Sequence, residues 1–211
     1  MTAPIYLDTG VFWSFAIVDG LGHFGAAIGR RVRWTEAVEA EVKRNTSRCL
    51  ELWNVPSSPW LRRPIRLEGR LALEAIRLRD SLARSGDSPW MHLGEAESIV
   101  AALNHAELTS DQDHAVAMFA SDDYSARRLG RRQGLEVVDT EDLIRMCVEA
   151  GRLSCDEALR LHRKMLQAGR SLDTNAGVDR LCGRSHVSGV TGSSPRNPTY
   201  SCWRVDEPKL V

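Results

Sequence analysis

Short apolar segments that stop on acids constrain this chain more than any other feature. Ile5-Tyr6-Leu7 ends on Asp8 and a turn at Thr9-Gly10, and Ala115-Val116-Ala117-Met118-Phe119-Ala120 ends on Ser121-Asp122-Asp123. Runs this short and this apolar read as buried strands, the second as the central one. Arg31 to Trp34 and Leu135 to Val138 read as two further strands. Helical patterns separate them, over residues 11–18, a glycine-punctuated stretch after Gly20, and residues 35–45 with Thr35 as cap. Residues 67–84, 94–105, a stretch around Ala126 and Leu129, and 140–150 continue the series, and Ser154 with Glu157 forms a capping box opening a last helix to about Gln167. Strand and helix therefore alternate. The expected fold class is α/β, a three-layer arrangement with a parallel sheet and helices on both faces.

Such sheets gather ligands outside the carboxyl ends of their strands, where Asp8, Asp122 and Asp123 fall. Glu41 stands with Glu36 and Glu39 on the third helical segment, and Glu95 with Glu97 opens the one after Ser88-Pro89. Carboxylates drawn together from distant segments repel, and a cation relieves that repulsion. Oxygen ligands suit Mg²⁺ or Mn²⁺, which activate water and steady the leaving oxygen of a phosphodiester. Read singly, each acid is ordinary surface charge or helix-start decoration.

The 211 residues fit one domain with an appendage, and 43% hydrophobic residues suffice for a sizeable core. Basic and acidic residues balance at 28 each, so no global field calls for nucleic acid or membrane. Lys43, Lys164 and Lys209 are the only lysines, the other basic residues being arginines, the better bidentate phosphate donors. Cys49, Cys147, Cys155, Cys182 and Cys202 are odd in number and scattered, which argues against a disulfide framework and a zinc site. Without an apolar leader or a span of about 18 apolar residues, the chain reads as soluble and cytoplasmic. Residues 170–211, rich in Ser, Gly, Asn, Thr and Pro, are expected to form no packed structure, and Gly189 to Pro195 resembles read-through into a transfer-RNA gene.

Taken together, these motifs resemble the PIN domain, a metal-dependent ribonuclease fold common among VapC-like toxins. Ile5-Tyr6-Leu7-Asp8-Thr9-Gly10-Val11 resembles its opening strand, and Val38-Glu39-Ala40-Glu41-Val42 the helix bearing its second acid. Leu93-Gly94-Glu95-Ala96-Glu97-Ser98 is similar to its GEAE-bearing branch, and Ser121-Asp122-Asp123 to its T-x-D segment. The likeness covers roughly residues 4–152, followed by a helix over 153–169 and the tail. It implies metal-ligating, catalytic roles for Asp8, Glu41, Glu97 and Asp123, with Glu95 and Asp122 as the alternatives beside them. It also implies RNA as substrate, Mg²⁺ or Mn²⁺ as cofactor, a small antitoxin protein of a type II toxin–antitoxin pair as partner, and a homodimer. Gly10 departs from the commoner Ser or Asn.

Arg127, Arg128, Arg131 and Arg132 follow Asp123 and are candidate RNA-backbone contacts, with a solvated helix face as the plain alternative. Asp111, Asp113 and His114 read as a polar loop, His92 and His105 as structural or exposed, and most tryptophans as packing. No GxSxG elbow and no GxxxxGK[ST] occurs, and no GxGxxG opens a helix after a strand, so serine-hydrolase and nucleotide-fold readings fall away. A PIN-like interaction module without useful catalysis is the rival reading. A metal-dependent phosphatase is a weaker one, since the DxDxT-type nucleophile motif is missing.

Overall fold

The computed structural model describes residues 3–109 and 116–183. The loop acids Asp111 and Asp113, His114, and everything beyond Gly183 lie outside the described residues. Among the described residues four strands, β1 (Ile5–Leu7), β2 (Val32–Arg33), β3 (Met118–Ala120) and β4 (Glu136–Val138), form one sheet in the order β2-β1-β3-β4. All pairings are parallel, with Ile5 beside Val32 and Met118, and Ala120 beside Leu7 and Val138. The chain is thus α/β, as the alternation predicts.

Side chains alternate across a strand, so the sheet divides its residues between two cores. Ile5, Leu7, Val32, Met118, Ala120 and Val138 face one. There they meet α1 (Thr9–Ala16), α2 (Leu21–Ile28), α3 (Glu36–Arg44), α8 (Thr140–Glu149) and α9 (Cys155–Gln167). Tyr6, Phe119 and Val137 face the other, against α4 (Gly69–Leu82), α5 (Leu93–Leu103) and α7 (Tyr124–Arg132). A four-residue helix, α6 (His105–Leu108), follows α5, and His105 is buried with Nδ1 2.9 Å from the Tyr6 hydroxyl, a structural position. Helices cover both faces, as a parallel sheet buried on both sides requires.

Local chemistry sets several boundaries. Thr35 accepts from the Val38 amide and caps α3. Asp139 and Ser154 each close a full capping box, with Asp142 and Glu157. Between α3 and α4 the chain takes 3₁₀ turns over Asn45–Ser47 and Leu50–Asn54, ahead of Pro56, Pro59 and Pro64. Trp34 is fully buried and donates to the Arg62 carbonyl, whereas Trp53 and Trp90 are 75% and 64% exposed and do not pack as expected. Among the described residues no helix is long and apolar enough to cross a membrane.

The tail departs from expectation. Residues 170–183 pack against the first core, ending in α10 (Val178–Cys182) with Leu181 buried. Cys155 and Cys182 form a disulfide, against the reading of scattered cysteines. Arg180 bridges Asp139 and Asp142 at 2.8 and 2.6 Å, and the Asp173 amide donates to the buried Glu141. Ion pairs and one cross-link anchor this segment, and neither leaves an apolar period in a sequence.

Tight packing also constrains α2. A Cβ at Gly25 would stand 2.2 Å from Trp60 Nε1, while one at Gly22 would meet nothing within 4 Å. Gly25→Ala is expected to cost about 1–3 kcal/mol in urea unfolding through overpacking. Gly22→Ala should stabilise by roughly 0.5–1 kcal/mol as a solvated helix position. Equal effects at the two sites would contradict the close seat of Trp60.

Candidate metal centre

Asp8 leaves the end of β1 and becomes the N-cap of α1, its Oδ1 accepting from the Val11 amide at 3.0 Å. Its own amide donates to the Ala120 carbonyl, so the β1–β3 ladder itself sets the backbone here. Only 4% of the residue is exposed. Burial pushes the carboxyl well above its ordinary range, and the charges of Glu95 and Asp122 push it further.

Glu41 reaches the same region from α3. It accepts from the Thr9 hydroxyl at 2.7 Å and from the Gly94 amide at 3.2 Å. Burial, then the charge of Glu95, pushes it up to about 7. A Cβ at position 94 would stand 2.9 Å from Glu41 Oε2, so glycine there leaves room for the carboxylate against α5.

Glu95 is the α5 acid turned toward Asp8 and Glu41. Glu97 points elsewhere: its Oε2 accepts from the Ala37 amide at 3.2 Å, and its carboxylate also bonds the Thr35 side chain. Positions two apart on a helix lie about 200° apart, so one of the pair faces the group and the other caps the start of α3. The structure thus groups Glu95, and not Glu97, with Asp8 and Glu41.

A similar division separates Asp122 from Asp123. Asp122 accepts from the Thr140 amide and hydroxyl at 3.0 and 2.9 Å and from the Ser14 hydroxyl at 2.9 Å. Asp123 is exposed, caps α7 through the Ala126 amide at 2.7 Å, and acts electrostatically on His92 at the rim. Glu36 and Glu39 stay apart from the group, paired with Arg66 and Lys43. Arg127 turns back to donate to the carbonyls of Ser121 and Asp122 and steadies the end of β3, while Arg128, Arg131 and Arg132 are exposed.

Sequence reasoning missed Ser14, Thr140 and Arg170. Arg170 stacks its guanidinium 5.5 Å above the Trp13 ring and donates to Ser14 Oγ and the Gly10 carbonyl, both at 2.9 Å. Its Nη2 lies 3.8 Å from Asp122. Thr140 was visible in principle, since it follows a strand just as Asp8 and Asp122 do. Nothing in the tail marked Arg170.

Among the described residues no three His, Cys, Asp or Glu side chains stand close enough to hold one ion between them. A hard divalent cation needs no such cage, since Mg²⁺ keeps several waters and uses one or two carboxylates directly. The donor set fits such an ion: all the acids are oxygen ligands, and the charges that reach Asp8 are themselves carboxylates. Comparison with known proteins leaves the geometry to speak alone, because no family model, no curated protein and no solved structure matches the chain.

Proposed function

We propose that the chain is a PIN-like ribonuclease that hydrolyses RNA phosphodiesters with Mg²⁺ or Mn²⁺. The observation carrying this reading is the gathering of Asp8, Glu41, Glu95 and Asp122 beyond the carboxyl ends of β1 and β3. Asp8 and Glu95 are the carboxylates that would hold the cation, with Asp122, tied by Ser14 and Thr140, acting on Asp8 beside them. The bound ion would supply Lewis-acid polarisation of the phosphodiester and a lowered pKa for the attacking water. Glu41, pushed up to about 7, is matched to taking a proton from that water near neutral pH. Thr9 and the Gly94 amide hold its carboxylate in one orientation. Arg128, Arg131 and Arg132 on the exposed side of α7 offer phosphate contacts to an approaching backbone.

The biological role that goes with this chemistry is the toxin of a type II pair, neutralised by a small antitoxin protein and assembled as a homodimer. Arg170 favours the second reading, an interaction module with little catalysis, because a built-in cation already stands 3.8 Å from Asp122. Incubating purified chain with labelled total or transfer RNA decides between them. Cleavage in Mn²⁺ that EDTA removes is the expected result. Intact RNA in both, or equal cutting in both, would leave the module reading in possession.

A further inference from the structure

A cleft of about 390 Å³ opens beside the acids, between the end of α3 and the turn that leads into α5. Glu41, Arg44 and Asn45 form one wall, and Trp90, Met91, His92 and Glu95 the other. Since Glu41 and Glu95 also belong to the acidic group, the cleft continues directly out of it.

Trp90 is 64% exposed on that wall, yet the turn carrying it is held firmly. Arg79 donates Nε to the Met91 carbonyl at 3.1 Å and Nη2 to the Ser88 carbonyl. The Met91 amide donates to the Ser88 carbonyl at 3.0 Å. His92 takes a left-handed backbone, φ 65°, and its imidazole sits between Asp87 at 3.5 Å and Glu95 at 3.6 Å. A large ring kept in water on a fixed turn forgoes the stabilisation that burial would bring. What such a ring does offer is a flat apolar face carried on a held backbone, which is what base stacking uses. Arg44, on the opposite wall at the end of α3, offers a guanidinium to a phosphate.

We infer that the cleft between Arg44 and Trp90 is a stacking subsite for an unpaired nucleobase of single-stranded RNA. The stacked nucleotide neighbours the phosphodiester presented to Asp8, Glu41 and Glu95, so the inference rests on the nuclease reading of those acids. Paired RNA keeps its bases inside the helix and has no face to give the ring. The site therefore selects unpaired segments, with Trp90 as the specificity-determining residue and Arg44 as its backbone contact.

The test is fluorescence anisotropy of a labelled, mixed-sequence single-stranded oligoribonucleotide with the full chain in EDTA. Trp90→Ala is expected to weaken binding about tenfold, with Trp90→Phe within roughly threefold of the parent. Arg44→Gln should lower the slope of log affinity against log salt by roughly 0.7. Both residues are solvent-facing, so these variants fold, and the same oligonucleotide annealed to its complement should bind more weakly than the single strand. Equal affinity for parent and Trp90→Ala, or no binding by the parent, overturns the subsite. Cleavage in Mn²⁺ separates the two claims. Cutting with a KM that Trp90→Ala leaves unchanged keeps the nuclease and removes the subsite, whereas Trp90-dependent binding without cutting keeps the subsite and removes the nuclease.

Discussion

Asp8→Asn is expected to lower Mn²⁺-dependent RNA cleavage by at least about 100-fold, the upper end of what even a supporting residue costs at a metal site. The chain should remain folded, because asparagine caps a helix about as well as aspartate and can still accept from the Val11 amide. It should also be no less stable at neutral pH without metal, since the substitution removes a buried charge opposed by Glu95 and Asp122. The paired control is Glu97→Gln. That carboxylate serves the start of α3 through Ala37 and Thr35, so its replacement should leave kcat within a few-fold and lower thermal stability slightly. Initial rates and melting curves for both variants check the assignment. A loss of cleavage at Glu97→Gln equal to that at Asp8→Asn would return Glu97 to the ligand set.

The second large effect is on stability. Burial pushes Glu41 up to about 7 and Asp139 up to about 6, and it raises Asp8 and Glu97. A carboxyl with a raised folded-state pKa keeps its proton in the folded chain after the unfolded chain has released it. The unfolded state then binds fewer protons, and stability falls as pH rises from the ordinary carboxylate range to the folded-state value. Glu141 works the other way: its pKa is lowered by the His162 side chain and the Asp173 amide despite its burial, so its contribution is lost as pH falls below the carboxylate range. Stability in EDTA should therefore be highest at or below the ordinary carboxylate range, about pH 4, and fall toward pH 7.5. Glu41 alone accounts for about 2–3 kcal/mol of that fall. Such a loss corresponds to roughly 5–10 °C in Tm for a chain of this length.

On the proposed metal reading a divalent cation should reverse the fall, because it would bind the ionised carboxylates and would have to displace protons at lower pH. Millimolar Mg²⁺ or Mn²⁺ should thus raise Tm at pH 7.5 and change it little at pH 5. Differential scanning calorimetry across that range, with metal and with EDTA, makes the comparison. A flat profile, or an equal metal effect at both pH values, would show that the acids do not share a cation.

Much of this arrangement was present in the residue order. Runs such as Ile5-Tyr6-Leu7 and Met118-Phe119-Ala120 are apolar on both sides because both faces of a parallel strand are covered. Thr35, Ser154 and Glu157 announce helix starts through hydrogen bonds that span three residues. These are short-range effects, so the α/β alternation and the placement of Asp8 and Asp122 at strand ends follow from the sequence itself. Which member of each acid pair faces the group does not. Glu95 and Glu97 differ only in the side of α5 they occupy, and the packing of α5 against α3 decides it by giving the Gly94 amide to Glu41 and the Ala37 amide to Glu97. Tertiary structure likewise decided the fate of residues 170–183. Arg170 meets Ser14, Gly10 and Asp122 across more than a hundred residues of chain or nearly fifty, and Cys182 meets Cys155, contacts between single side chains that carry no period. Periodicity records a face repeated along one element, and a lone long-range partner leaves no repeat to read.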